Sequence, residues 1–310
     1  VASALVDVQT ELESRVADVA SDTNERLAEV ADLNGKILEA GDPDAAAGLI
    51  DRRDQVVRGL AEDLGAEIRV DRDTGEATVL LGGVALVQGD RSLEVAAGEN
   101  SDGELTLLVT SIGDMDAQAS VSGRVGGMMA AWSKIEGYLD QLDDLASDLG
   151  QAVNDQHALG YDTDGAAGGD VFTWDSGGEH ASTSFEVDGS LSASTLAFAS
   201  DSAGSVGDIG NLQSLLDIES SELFASSTQS GEQFLNALVS EVGSDVNEAE
   251  SDVQHFGAVL SDLDSLRDSI SGVDLDEEAA QLIQYQTAYQ AAAKMLGAAD
   301  ELMQTLLQVL

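Results

Sequence analysis

The sequence predicts a mainly α protein with a smaller β part (α+β), an elongated helical bundle or coiled-coil rod carrying a β-rich insert. Three observations predict it. Apolar residues recur at three- and four-residue spacing over several long stretches, as they do in helices that bury one stripe. The period drops to two only between about residues 66 and 109, where glycines punctuate short runs rich in Val and Leu. Aromatic residues are 4% of the 310 residues while hydrophobic residues are 43%, so the core must be built from Ala, Val, Leu and Ile. Such small side chains suit close helix packing better than a wide ligand cavity.

Residues 1–39 read as one helix, with Leu12, Val16, Val19, Leu27, Val30, Leu33 and Ile37 on its stripe and Thr23 and Arg26 interrupting it. Gly41 and the sole proline, Pro43, stop it. A second helix over 44–64 carries Leu49, Ile50, Val56, Val57, Leu60 and Leu64, and ends at Gly65. The alternation of Ala66 to Asp71, the turn Asp73-Thr74-Gly75 and the run Ala77 to Leu81 predict a β-hairpin. Leu86-Val87 and Leu105 to Val109 add strands, with turns at Gly82-Gly83, Gly89 and Gly103. Helix returns near Gly126-Gly127, where Ile135, Leu139, Leu142, Ala146, Leu149 and Val153 step by 4, 3, 4, 3 and 4. A Gly/Asp-rich loop spans 160–169, strand-like pieces fall within 172–198 and a short helix is expected over 211–217. A long helix follows from about 230 to 269, with Phe234, Leu238, Val242, Val246, Val253, Val259, Leu263, Leu266 and Ile270.

The clearest periodicity is at the end. Leu275, Leu282, Tyr285, Tyr289, Ala292, Leu296, Ala299, Met303, Leu306 and Leu310 are spaced by 7 and then by alternating 3 and 4, a coiled-coil seam. The predicted organisation is a helical rod segment over 1–64, a hairpin-rich segment over 65–122, a second rod segment over 123–160, a loop and short-strand insert over 161–205, returning helices over 206–271 and a C-terminal coiled-coil helix over 272–310. The seam must be covered by this chain or by another subunit.

Charge excludes several functions. The net charge is −46, and from Ile135 to Leu266 there are 26 Asp and Glu but no Lys or Arg. Such a surface repels nucleic acid and anionic membranes. It is read either as a heavily solvated surface or as adaptation to high salt, where counterions screen self-repulsion. No cysteine is present, so disulfides, thiolate catalysis and cysteine zinc sites are excluded. The start, Val1 to Leu5, has neither the basic nor the apolar region of a signal peptide.

No cofactor, metal or catalytic site is expected. The three histidines, His157, His180 and His255, are far apart, and a lone His lacks the ligand count zinc needs. Asp162, Asp164 and Asp170 suggest calcium, but their spacing fails the EF-hand pattern. There is no Gly-x-Ser-x-Gly elbow and no phosphate loop. Trp132 and Trp174 read as core or edge packing.

Several ordered motifs add a resemblance. Gly272-Val273-Asp274-Leu275-Asp276-Glu277-Glu278-Ala279-Ala280, Gln286-Thr287-Ala288-Tyr289-Gln290-Ala291-Ala292-Ala293-Lys294, Ala299-Asp300-Glu301 and Leu306-Leu307 resemble the C-terminal signature of flagellar rod, hook and hook-associated proteins. Leu33-Asn34-Gly35-Lys36-Ile37 and Leu49-Ile50-Asp51-Arg52-Arg53-Asp54-Gln55 resemble the hook-associated protein 1 family. So do Ser122 to Met128, Leu142-Asp143-Asp144-Leu145-Ala146, and Val153-Asn154 with His157, Gly160 and Asp162. Gly207 to Asn211, Leu215-Leu216 and Val239 to Gly243 match that family's later helical return.

The resemblance implies a non-enzymatic, secreted subunit of the bacterial flagellum at the hook–filament junction, outside the cell. It implies export through the flagellar type III apparatus, a ring of identical subunits, and contact with the hook protein, the adjacent junction protein and an export chaperone at the C-terminal helix. The family's N-terminal helix is missing here, so the resemblance implies an N-terminally truncated member. Within the class another axial protein, flagellin-like or a second junction protein, is the alternative. A calcium-stabilised extracellular adhesin is the more distant one.

Overall fold

The computed structural model describes residues 1–41, 43–72, 74–110, 115–116, 121–175, 177, 180–203, 207–224, 228–271 and 279–295. The chain forms two compact units, Val1–Leu238 and Val239–Leu310.

The first unit opens on helix α1 (Ala2–Ala40), closed by Gly41 in the left-handed conformation that glycine adopts without strain. Its buried side is longer and more regular than apolar residues alone suggest. Val16, Ala20, Thr23, Leu27, Val30, Asn34 and Ile37 advance by 4, 3, 4, 3, 4 and 3, and all are buried. Thr23 therefore does not interrupt the stripe. It sits on the stripe and is fully buried. Arg26 lies beside the stripe and is turned to Asp63.

Helix α2 (Pro43–Leu64) packs against α1 and contributes Val56, Val57, Leu60 and Leu64 to their common core. Next come strands β1 (Glu67–Val70), β2 (Ala77–Leu81), β3 (Val84–Gln88) and β4 (Arg91–Ser92), an antiparallel sheet in sequence order. Gly82 and Gly83 form the two-residue turn between β2 and β3 with φ of 58° and 84°, as a primed hairpin turn requires. Ala77, Val79 and Leu81 alternate inward along β2. A second sheet joins β5 (Val95–Glu99), β6 (Leu105–Val109) and β7 (Met115–Asp116). Strand β5, whose Val-Ala-Ala-Gly-Glu sequence announces no strand, pairs with β6 along all five residues.

Helix α3 (Gly123–Ala158) starts a few residues before the expected Gly126. Gly123 has φ +64°, and a Cβ there would strike the Glu62 carbonyl, so only glycine lets α3 start so close to the end of α2. Val125, Met129 and Trp132 complete the core shared by α1, α2 and both sheets. Of the α3 heptad, Leu139 is fully buried while Ile135, Leu142, Ala146, Leu149 and Val153 are half-buried. A small insert follows, with β8 (Phe172–Thr173) paired to β9 (Glu186–Val187) and α4 (Ala181–Ser184) between them. Helix α5 is Gly210–Asp217, and α6 (Gly231–Ser271) continues from the first unit into the second. In the second unit residues 279–295 form a further helix, α7.

The Thr23 hydroxyl is buried with no hydrogen-bond partner. A buried hydroxyl left without a partner costs about 1–3 kcal/mol, and a valine methyl fills nearly the same space. Thr23→Val is therefore expected to stabilise the protein by about 1 kcal/mol. In urea unfolding the midpoint should rise with the slope unchanged.

Candidate functional site

Residues that carry the sequence motifs occupy joints. On α1, Asn34 accepts the Ala77 N–H (2.9 Å) and donates to the Ala77 carbonyl (2.8 Å) and the Gly89 carbonyl (2.9 Å). Ten residues earlier on the same helix, Asn24 accepts the Val95 N–H and donates to the Val95 carbonyl, both at 2.8 Å. Each amide acts as a one-residue stretch of strand, one docked on each sheet. From the second motif, Arg53 is 3% exposed and donates to the Gly75 carbonyl in the turn between β1 and β2. Arg52 pairs with Glu29 across the α1–α2 interface (2.7 Å). In the third motif Arg124 reaches Asp63 (2.9 Å), which also pairs with Arg26, so one buried carboxylate ties α1, α2 and α3 together. Arg26, Arg52 and Arg124 line an open groove of about 630 Å³ with Asp22, Glu25, Glu29, Glu62 and Asp63, where both signs of charge meet.

The Asn154–His157–Gly160–Asp162 motif is a second joint. The Asn154 amide oxygen accepts the N–H groups of Val171 (2.8 Å) and Phe172 (3.0 Å), and its nitrogen donates to the Phe172 carbonyl (2.8 Å). His157 is 1% exposed. Its Nε2 accepts the Ala197 N–H (2.8 Å), so Nδ1 carries the proton and donates to the Gly169 carbonyl (2.7 Å). A Cβ on Gly160 would collide with Asn211 and the Ala197 carbonyl. Asp162 accepts the N–H groups of Asp164 (2.9 Å) and Ala166 (2.8 Å), which makes the Gly/Asp-rich loop a chain of turns. Asn211 donates to the Ala197 carbonyl (2.7 Å) and accepts from Gln156 (2.7 Å). Asp208 holds the turn ahead of α5. The Gly210 N–H first, and then the Ser200 N–H and hydroxyl, keep its carboxyl below the usual carboxylate range. His180 forms a clamp not foreseen from the sequence, with Nδ1 3.0 Å from Asp143 and Nε2 4.0 Å from Glu136, itself bonded to Gln9. Trp132 donates to Glu13 (3.0 Å). Among the described residues no group of three or more His, Asp or Glu is arranged to hold a metal ion, and no helix is long and apolar enough to cross a membrane.

The second unit presents the opposite situation: among its described residues the apolar faces are exposed. Of the C-terminal seam, Leu282, Tyr285, Tyr289 and Ala292 lie on α7 and all are exposed, the tyrosines by 71% and 78%. Leu275, Leu296, Ala299, Met303, Leu306 and Leu310 lie outside the described residues. Helix α6 carries a second bare stripe. Val239, Val246, Val253, Phe256, Leu260 and Leu263 are each more than half exposed. With Val242 and Ala249 they advance by strict steps of 3 and 4. Apolar counting that admits Val259 and Leu266 and passes over Ala249, Phe256 and Leu260 misses this register.

Buried side chain-to-backbone joints on the helices, together with exposed heptad faces, are the features of a structural subunit, and comparison with known proteins assigns it to the flagellar axial class. Residues 1–172 match the family model described as "Flagellar hook-associated protein FlgK helical domain", and residues 267–309 match "Flagellar basal body rod FlgEFG protein C-terminal". The chain belongs to the flagellar hook-associated protein FlgK family, and its role in the bacterial flagellum is structural. The flagellar hook-associated protein 1 of Bacillus subtilis is 26% identical over 98% of this chain and 67% of its own length. That of Escherichia coli is 23% identical over 92% of this chain and 69% of its own. A solved structure of the flagellar hook junction protein FlgK from Burkholderia pseudomallei aligns over 56% of this chain and 34% of that one, with 28% identity and a TM-score of 0.47.

Replacing Asn154 by Ala removes three hydrogen bonds and leaves Val171 and Phe172 backbone groups without them. Amide exchange at those two residues is expected to accelerate about ten-fold or more, while the α1 amides keep their protection. The Asp208 joint has a pH sign. Its lowered folded-state pKa means its contribution is full above the ordinary carboxylate range and is lost as pH falls through the folded value. Acidification should therefore loosen the Ser200 and Gly210 amides by NMR, and Asp208→Asn should abolish that pH dependence.

Proposed function

We propose that this chain is a junction subunit that assembles as a ring of identical copies between the hook protein and the adjacent junction protein, below the filament. It reaches that position through the flagellar type III apparatus, with an export chaperone holding the C-terminal helix beforehand. The observation that carries this reading is the bare seam on α7. Leu282, Tyr285 and Tyr289 are exposed by 59%, 71% and 78%, and a stripe of that size in water needs a partner. Family membership supports the position in the flagellum. In this reading residues 1–64, 123–160 and 206–271 are rod segments, 65–122 and 161–205 are side inserts, and 272–310 line the inner tube. The seam Leu275 to Leu310 is the shared contact for neighbours and chaperone.

The test is filament assembly in cells whose own junction gene carries the change. A Leu282→Asp, Leu296→Asp, Leu306→Asp variant should leave hooks bare, with the protein lost from the hook tip. Normal filaments in that variant would overturn the role of the seam.

A further inference from the structure

Strand β5 is the edge of its sheet, and the fold uses only part of that edge. On one side it pairs with β6. Bonds from the Thr110 N–H to the Glu94 carbonyl (3.1 Å) and from the Asn100 N–H to the Glu104 carbonyl (2.9 Å) bracket the pair. By the alternation of an antiparallel ladder, Ala96 and Gly98 turn their backbone groups to β6, while Val95, Ala97 and Glu99 turn theirs away from it. At Val95 the Asn24 amide of α1 takes both groups. At Ala97 and Glu99 nothing among the described residues does so. From Asn24 back to Glu13 α1 covers about 16 Å, and from Val95 to Glu99 β5 covers about 13 Å, so the helix flanks the whole edge. Between them lies a groove of about 340 Å³, lined by Glu13 and Ala17 of α1, Ala97 and Glu99 of β5, Leu105 of β6 and Trp132 of α3. Ala17, Ala97, Leu105 and Trp132 make it apolar in part, and Glu13 and Glu99 are exposed acids beside them. One Glu13 oxygen accepts the Trp132 N–H, and Glu99 makes no ion pair among the described residues.

We propose that this groove binds an extended peptide segment that adds a strand to the β5 edge and carries a lysine or arginine on its inner face. The added strand bonds Ala97 and Glu99 as the Asn24 amide bonds Val95. Side chains opposite Ala97 and Glu99 lie on the face those two residues share. A basic side chain suits that face in two parts, its stem against Ala17, Leu105 and Trp132 and its charged head at Glu13 and Glu99. A net charge of −46 repels an acidic segment, and a wholly apolar one would leave both carboxylates facing it unpaired. The volume is at the small end of ligand pockets, so the occupant is a short stretch of chain. This contact uses none of the C-terminal seam and does not depend on the self-assembly reading.

The test is calorimetric titration of the full chain with the probe peptide acetyl-Thr-Val-Lys-Val-Thr-amide. A Trp174→Phe variant, in which Trp132 is the remaining tryptophan, reports the place of binding by fluorescence. The peptide should bind and shift the Trp132 emission. The same peptide with Glu for Lys, and the same peptide N-methylated on its backbone, should each bind about ten-fold more weakly or worse. Ala17→Phe, on an exposed helix position, fills the groove and should weaken binding by a similar factor with the helical signal and melting temperature unchanged. Glu99→Lys should do the same through charge alone. Equal binding of the N-methylated peptide would overturn strand addition. Equal binding to the Ala17→Phe and Glu99→Lys chains would assign the attraction to the general acidity of the surface and overturn the site. Absence of binding at millimolar peptide would overturn the proposal and leave the junction role untouched.

Discussion

The stripe on α1 is the constraint from which the first unit is built. It is buried nearly from end to end, from Ala2 through Val16 and Leu27 to Ile37. Neither sheet is large: one has four strands, with an edge strand of two residues, and the other has three. Sheets of that size are marginal alone and need a helix across one face. Helix α1 supplies the apolar face, and Asn24 and Asn34 supply the hydrogen bonds that fix where each sheet sits along it. Dispersion and burial provide attraction without direction, whereas these two amides provide position. Packing and register therefore come from the same helix. Asp63 then sets the angle at which α2 and α3 join it, through Arg26 and Arg124.

Long helices were legible because a 3.5-residue period sustained over five turns has few competing explanations. The turn at Gly82-Gly83 was legible because two adjacent positive φ values favour glycine. What stayed hidden has physical reasons. Thr23 and Asn34 occupy stripe positions, and counting apolar residues alone breaks the stripe at each polar one. Strand β5 exists because β6 and the Asn24 amide satisfy its backbone, not because Val95 to Glu99 favour a strand. On α6 two overlapping stripes compete, and beyond Val246 both are exposed, Val259 and Leu266 as well as Phe256 and Leu260. The motif residues Asn154 and His157 could be picked out as a pattern, but their partners at Val171, Gly169 and Ala197 are backbone atoms, which leave no trace in side-chain identity. The same holds for the His180 clamp, whose carboxylates lie 37 and 44 positions earlier, on α3.

Charge and apolar surface divide the labour in the second unit. Acids crowd α6, while α7 has none and is rich in Gln and Ala. A uniformly acidic surface keeps copies apart in solution, and its repulsion weakens as salt screens it. Short-range contact between apolar stripes is much less sensitive to salt. Flanking charges of one sign penalise any pairing that would bring two α6 helices together.

The joints formed by Asn24, Asn34 and Asn154 have a consequence for how such a chain can change over time. Each reaches main-chain atoms, of Val95, of Ala77 and Gly89, and of Val171 and Phe172. Any residue except proline, which lacks the N–H, offers those atoms equally well on the same backbone path. The strands and loops on the receiving side are therefore free to drift in side-chain identity, within the limits of burial. No substitution on that side can make good the loss of the asparagine. Mutational tolerance is lopsided across every one of these contacts, and the inserts can diverge from one lineage to another while the helices that hold them stay recognisable.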